Sequence, residues 1–126
     1  MTIGAWSKFH TPYNETEVRK LVPKTAGVYT LWVRYTSGNW KCFYVGKAEN
    51  REESLIDHLS AKESNSCITE QIEFTCGFCW LEVTTEEERS GVVKYLYDSL
   101  KPECNLKNPG GKPLKIPLPV HPAPAR

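Results

Sequence analysis

No apolar run in this 126-residue chain approaches the ~20 residues that a bilayer-spanning helix needs. The opening residues, MTIGAWSKFH, lack the basic start and apolar stretch of a secretory leader. A cytoplasmic chain is therefore expected. A strong excess of one charge is also missing: 16 Lys and Arg face 15 Asp and Glu, for a net charge of +1. A markedly basic whole would point straight to nucleic acid, and this balance does not. Cysteine is sparse and odd in number, at five, which without a leader reads as free thiols rather than a disulfide framework. No internal repeat is visible. The 40% hydrophobic content excludes wholesale disorder, and the length suits one compact domain.

The charge that is present is unevenly placed. Residues 1–100 hold 11 Lys and Arg against 14 Asp and Glu, a balance of −3. Residues 101–126 hold Lys101, Lys107, Lys112, Lys115 and Arg126 against Glu103 alone, a balance of +4. The pattern permits a local basic surface on a mildly acidic body.

Residues 1–24 read as an N-terminal extension, in which Asn14 to Glu17 cap a short helix running through Leu21 and stopped by Pro23. From Gly27 to Tyr35 the β-branched and aromatic residues predict a strand. Thr36 to Asn39 is a turn cluster, and Trp40 to Val45 a second strand, closing an antiparallel hairpin that ends at Gly46. Asn50 reads as the cap of a helix whose apolar stripe is Leu55, Ile56 and Leu59, broken at Ser64-Asn65-Ser66. A long strand is expected from Ile72 to Val83. Thr84 or Thr85 then caps a second helix that buries Val92, Tyr95, Leu96 and Leu100 and stops at Pro102. Residues 25–108 are thus one α+β domain: a three-stranded, mainly antiparallel sheet flanked by helices. Residues 109–126, with six prolines, are expected to be an extended, flexible basic tail.

Two tripeptides stand out. Gly27-Val28-Tyr29 lies on the first strand and Tyr44-Val45-Gly46 ends the second, so a hairpin sets two phenols on neighbouring strands. Taken alone, each is ordinary for a half-buried strand tyrosine. In order, however, come a GVY strand, a YVG strand, Lys47-Ala48, a helix with His58, a third strand, and a helix ending in Pro102-Glu103-Cys104-Asn105. This series, over roughly residues 22–106, resembles the GIY-YIG nuclease superfamily.

The resemblance implies a fold and a set of roles. Tyr29 is a candidate general base or nucleophile activator near a scissile phosphate, and Tyr44 lines the same site. His58 assists proton transfer, and Asn105 ties the site together. The family also brings an arginine one turn before the histidine and a glutamate on the later helix that holds Mg²⁺. Both fit the chemistry, because phosphodiester hydrolysis builds negative charge on the phosphate and Mg²⁺ prefers carboxylate oxygens.

This sequence departs at those two positions. Ser54 stands where the arginine is expected, and the nearest arginine, Arg51, begins the helix on the same face. Val93 stands where the glutamate is expected. Glu86 is a weak substitute about 10 Å away along the helix axis, and the run Glu86-Glu87-Glu88 reads better as a solvated first turn. No metal ligand is assigned. The expectation is a degenerate, pseudo-enzyme member that binds DNA, a nucleotide or another phosphate-bearing ligand, with Lys47 as the first phosphate contact and no cofactor. Two alternatives stay open. One is an active Mg²⁺-dependent endonuclease using Arg51 and one of Glu86 to Glu88. The other is a non-catalytic regulatory or adaptor module that binds a nucleotide or a protein, the latter through the proline-rich tail.

The remaining features read blandly. Cys76 and Cys79 on a strand point to opposite faces, which argues against zinc. His10 and His121 are lone histidines. Trp32, Trp40 and Trp80 sit at strand positions and read as core or sheet-face residues.

Overall fold

The computed structural model describes residues 3–122. Its elements in chain order are α1 (Glu15–Leu21), β1 (Gly27–Arg34), β2 (Trp40–Ala48), α2 (Arg51–Asp57), α3 (Ser66–Ile72), β3 (Cys76–Glu82) and α4 (Glu86–Leu100). The sheet order is β2-β1-β3, and both pairings are antiparallel. This is the α+β, three-stranded architecture the sequence predicts.

β1 is the central strand. Seven of its eight residues are buried, so it reads as a nearly continuous apolar run instead of an alternation. Alternate side chains feed two separate cores. Tyr29, Leu31 and Val33 join Phe43, Leu55, Ile68, Phe78 and Trp80 on the face covered by α1, α2 and α3. Val28 and Trp32 join Val45, Leu81, Val92, Val93 and Leu96 on the face covered by α4. An irregularity between Leu31 and Trp32, which pair with Tyr44 and Cys42, places Phe43 as an extra residue in β2.

Caps fall where the sequence puts them. Asn14, Asn50 and Thr85 each accept a hydrogen bond from a first-turn amide, and α4 ends in a left-handed Lys101 just before Pro102.

Four expectations are corrected. β2 runs past Gly46 to Ala48, because Gly27 and Val28 continue the pairing through Ala48 and Lys47. α2 stops at Asp57, which makes His58 its C-cap residue. The break at Ser64-Asn65-Ser66 is the start of another helix: Asn65 caps α3 by accepting from the Cys67 and Ile68 amides, and β3 begins only at Cys76. The cysteines are not all free. Cys67, in the first turn of α3, is disulfide-bonded to Cys104 beyond α4, 37 residues away. Local spacing gives no hint of that pair, since it is the packing of α3 beside the chain leaving α4 that joins them. Cys42, Cys76 and Cys79 are free and buried.

Both ends of the described residues pack against the body. Gly4, Ser7 and His10 donate their amides to Glu82, Trp80 and Phe78 at 2.7–2.9 Å, covering the outer edge of β3. Residues 109–122 form no helix or strand, yet they rest on the body. Leu114 donates its amide to Gly91 O at 2.9 Å, Ile116 is buried, and Trp6 Nε1 donates to Pro117 O at 2.8 Å. The two lone histidines are ring partners: His10 stacks on Trp80 and His121 lies against Trp32. The end of the expected tail, including Arg126, lies outside the described residues. No helix among the described residues is long and apolar enough to cross a membrane.

Candidate functional site

Tyr29 projects from the centre of β1 toward α2 and is 2% exposed. Gly46, its pairing partner on β2, explains why the second motif ends in glycine: a Cβ there would clash with the hydroxyl end of the Tyr29 ring. Gly27 gives similar clearance at the start of β1. A Cβ on it would strike Leu81 O and the Arg51 stem. The two motif glycines thus clear space for one phenol and one guanidinium.

The Tyr29 hydroxyl meets two side chains from α2 and its C-cap. It lies 2.7 Å from His58 Nε2 and 2.8 Å from Ser54 Oγ. Tyr44 packs its ring edge-on against His58 at 4.9 Å and lies 6.3 Å from the Tyr29 ring. On the far side, His58 Nδ1 lies 3.2 Å from Glu63 Oε2. The other oxygen of Glu63 accepts the Asn65 amide at 3.2 Å, and Asn65 Nδ2 donates to Cys104 O at 2.9 Å. A polar chain therefore runs from Ser54 through Tyr29, His58 and Glu63 to the disulfide-linked corner. Beneath it, Tyr13 Oη donates to Leu55 O and fixes the middle of α2.

Burial dominates the electrostatics. It pushes the Tyr29 phenol well above the ordinary range, assisted by Tyr44 and opposed by the Ser54 hydrogen bond. Tyr44 is raised as well, by burial and then by Glu63. His58 is lowered by burial, against the pull of Glu63 and Asp57. At neutral pH the site holds two protonated phenols and a neutral imidazole. A neutral imidazole carries one N–H, so one of Nδ1 and Nε2 donates and the other accepts.

The other expected residues stand elsewhere. Arg51 is on the same side of the sheet, one turn before Ser54, but its guanidinium is buried against Thr25. Nε donates to Thr25 O at 3.0 Å and Nη2 donates to Thr25 Oγ1. It ties the α2 start to the entry of β1 and does not bond to either phenol. Asn105 clasps the free edge of β2, accepting from Val45 N at 2.8 Å and donating to Val45 O at 2.9 Å. Its amide is thereby committed to backbone. Lys47 projects from the opposite face of β2, where its ammonium meets Glu86 and donates to Ser90 Oγ at 3.1 Å. The Lys47 side chain is still part-exposed.

A divalent ion beside the phenols, which the resemblance implies, does not fit the side chains present. Val93 is an apolar member of the core on the α4 face, across the sheet from Tyr29. The Glu86 carboxylate is shared by Lys47 and Arg89. Both Glu63 oxygens are taken by His58 and Asn65. Glu49, Glu53 and Asp57 line a groove of about 330 Å³ next to Ser54. Among the described residues, however, no group of three or more His, Cys, Asp or Glu converges as metal ligands.

Sequence reasoning missed Glu63, Asn65 and the Cys67–Cys104 bond. One signal was available: Asn65-Ser66 followed by an apolar position is a helix-start pattern, and a new helix there carries Glu63 back toward His58.

No protein-family model matches the chain, and no curated protein matches it. Solved structures do. The chain is similar to the GIY-YIG N-terminal endonuclease domain of UvrC from Thermotoga maritima, in a tyrosine-to-phenylalanine point mutant, at 23% identity over 72% of this chain and 97% of that one, with a TM-score of 0.52. A second tyrosine-to-phenylalanine mutant and an asparagine-to-alanine mutant of the same domain match at 22% identity, with the same coverage and TM-score. All three are described as bound to a catalytic divalent cation. Strand order, helix placement and this likeness agree that the chain has the GIY-YIG fold.

Proposed function

We propose that this chain is a GIY-YIG nuclease-like domain that binds nucleic acid through its phosphates and does not cut it. The observation that carries the reading is the state of the phenol pair. The Tyr29 and Tyr44 rings lie 6.3 Å apart, with His58 bonded to Tyr29. The side chain beside them where a cation is needed is Ser54, and the position for the metal carboxylate is Val93, facing another core. Stabilising the extra negative charge of a phosphodiester transition state requires preorganised cations or donors, and loss of a single such group costs about a hundredfold or more in rate. The relatives of this fold described above hold a catalytic divalent cation; among the described residues here, no carboxylate bonded into the phenol network is free to anchor one.

Phosphate contact falls to Lys47 and to the exposed Lys107, Lys112 and Lys115. Lys47 and Arg89 share the Glu86 carboxylate. The carboxylates of Glu49, Glu53 and Asp57 next to Ser54 direct a phosphate backbone away from that groove.

Fluorescence anisotropy with a labelled DNA duplex, repeated over a salt series, tests the binding half. Affinity that falls with rising salt is expected, with a shallower slope for Lys47→Ala. A plasmid-nicking assay with Mg²⁺ or Mn²⁺ tests the other half. Metal-dependent nicking that Tyr29→Phe abolishes would overturn the non-cutting reading. Absence of any salt-dependent affinity would favour an adaptor module instead.

A further inference from the structure

We propose that Glu63 is the positioning residue of the phenol site: it fixes His58 in the Nδ1–H tautomer and so sets the direction of the hydrogen bonds along Tyr29 and Ser54. The ligand side of this inference rests on the reading above, that phosphate is met at this domain; the tautomer side does not.

Three geometric facts support it. The Glu63 carboxylate is itself held in place, by the Asn65 amide on one oxygen and His58 Nδ1 on the other. Asn65 is held in turn, because its side chain caps α3 and donates to Cys104 O, next to the cross-link from Cys67. Both His58 and Glu63 are largely enclosed, with side chains 12% and 14% exposed. An enclosed carboxylate with one oxygen beside Nδ1 is an acceptor only, so Nδ1 carries the proton and Nε2 receives the Tyr29 hydroxyl. Tyr29 then accepts from Ser54, and Ser54 turns its lone pairs toward the groove.

One added proton reverses the chain. A proton from solvent enters at Ser54, the Ser54 proton moves to Tyr29, and the Tyr29 proton moves to Nε2. Each heteroatom keeps its bonds, His58 becomes imidazolium paired with Glu63, and Ser54 now donates outward. The charged or titratable groups facing His58 are Tyr29 from β1, Tyr44 from β2, Asp57 on α2 itself, and Glu63. The phenols, raised by burial, stay protonated throughout. A step between neutral and mildly acidic pH therefore belongs to His58. Phosphate binding strengthens across it, because the added positive charge and the outward donor offset the carboxylates of Glu49, Glu53 and Asp57 that otherwise turn phosphate away from the groove.

Nitrogen-15 NMR of the wild-type imidazole tests the tautomer. A protonated Nδ1 and an unprotonated Nε2 are expected at neutral pH. Glu63→Gln, which keeps an acceptor oxygen, retains that tautomer and lowers the titration midpoint; Glu63→Ala mixes the tautomers. An Nε2–H tautomer in the wild type, or an unchanged Glu63→Ala spectrum, overturns the inference, and the wild-type measurement stands even if a variant fails to fold. DNA anisotropy from about pH 8 to about pH 5 tests the consequence, with affinity expected to rise about tenfold in wild type and to stay level in His58→Gln. Wild-type binding with a flat profile sinks the protonation step and leaves the binding reading intact. No binding at any pH sinks that reading and the ligand side together, while the tautomer is still decided by NMR.

Discussion

Tyr29 Oη lies 2.7 Å from His58 Nε2, and this contact joins the centre of the sheet to the C-cap of α2 across 29 residues of chain. The bond is enclosed, and it is extended by Ser54 on one side and Glu63 on the other. Among the described residues, no lysine or arginine bonds to the phenol at its centre. The site is therefore a hydrogen-bond network more than a charged one.

Removing the phenol oxygen unties both neighbours. Tyr29→Phe leaves His58 Nε2 without its donor while filling the same volume. We expect a loss of about 1–3 kcal/mol in urea or guanidinium unfolding, the cost of an enclosed polar group left unpaired. A free energy unchanged within error counts against the network as a stability element.

Restoring the family's carboxylate by sequence position does not restore a metal site. Val93→Glu places a charge among Val28, Trp32 and Leu96 in the α4-side core. Destabilisation of about 3 kcal/mol or more is expected, with no Mg²⁺-dependent nicking. A stable Val93→Glu protein whose melting temperature rises with Mg²⁺ contradicts the placement of Val93.

The disulfide is expected to hold the corner that carries Glu63 and Asn105. Cys67→Ser with Cys104→Ser, or a thiol reductant, frees a loop of 37 residues and is expected to lower stability by about 3–4 kcal/mol on the chain-entropy estimate. Denaturation with and without reductant measures this. Identical midpoints would show that packing alone secures α3.

Stability should fall with mild acid, and His58 should be a cause. Burial lowers its folded-state value below the ordinary imidazole one, so the unfolded chain binds the proton more readily. The contribution is complete above the unfolded value and is lost as pH falls through it toward the lower folded value. His58→Gln should flatten that stretch of the curve of unfolding free energy against pH. A wild-type curve that rises on acidification through this range contradicts the sign.

Gly46→Ala tests the close approach of backbone and phenol. The added methyl has no room beside the Tyr29 ring, so overpacking of about 1–3 kcal/mol is expected, together with a shifted His58 resonance. Wild-type stability and an unmoved resonance would mean that β2 yields at no cost.

Much of this protein is legible from its residues in order. The GVY and YVG strands, the caps at Asn14, Asn50 and Thr85, and the stop at Pro102 are local signals, set by backbone conformation and side-chain hydrogen bonds within a few residues. They suffice for the α+β architecture and for setting Tyr29, Tyr44 and His58 near one another. Other features depend on contacts between distant segments. Arg51 stands at the right turn of α2 for a site residue, yet the room left by Gly27 and the carbonyl of Thr25 draw its guanidinium to the β1 entry. Val93 has the right spacing from Asn105, yet α4 packs on the opposite face from the phenols. Glu63 and the Cys67–Cys104 bond carry no local pattern of their own, because an enclosed carboxylate or a paired thiol is defined by what the rest of the chain folds against it. Sequence alone determined the strands, the caps and the hydroxyl cluster; only tertiary packing decided which charges reach that cluster, since a side chain's partner is set by distance in space and not along the chain.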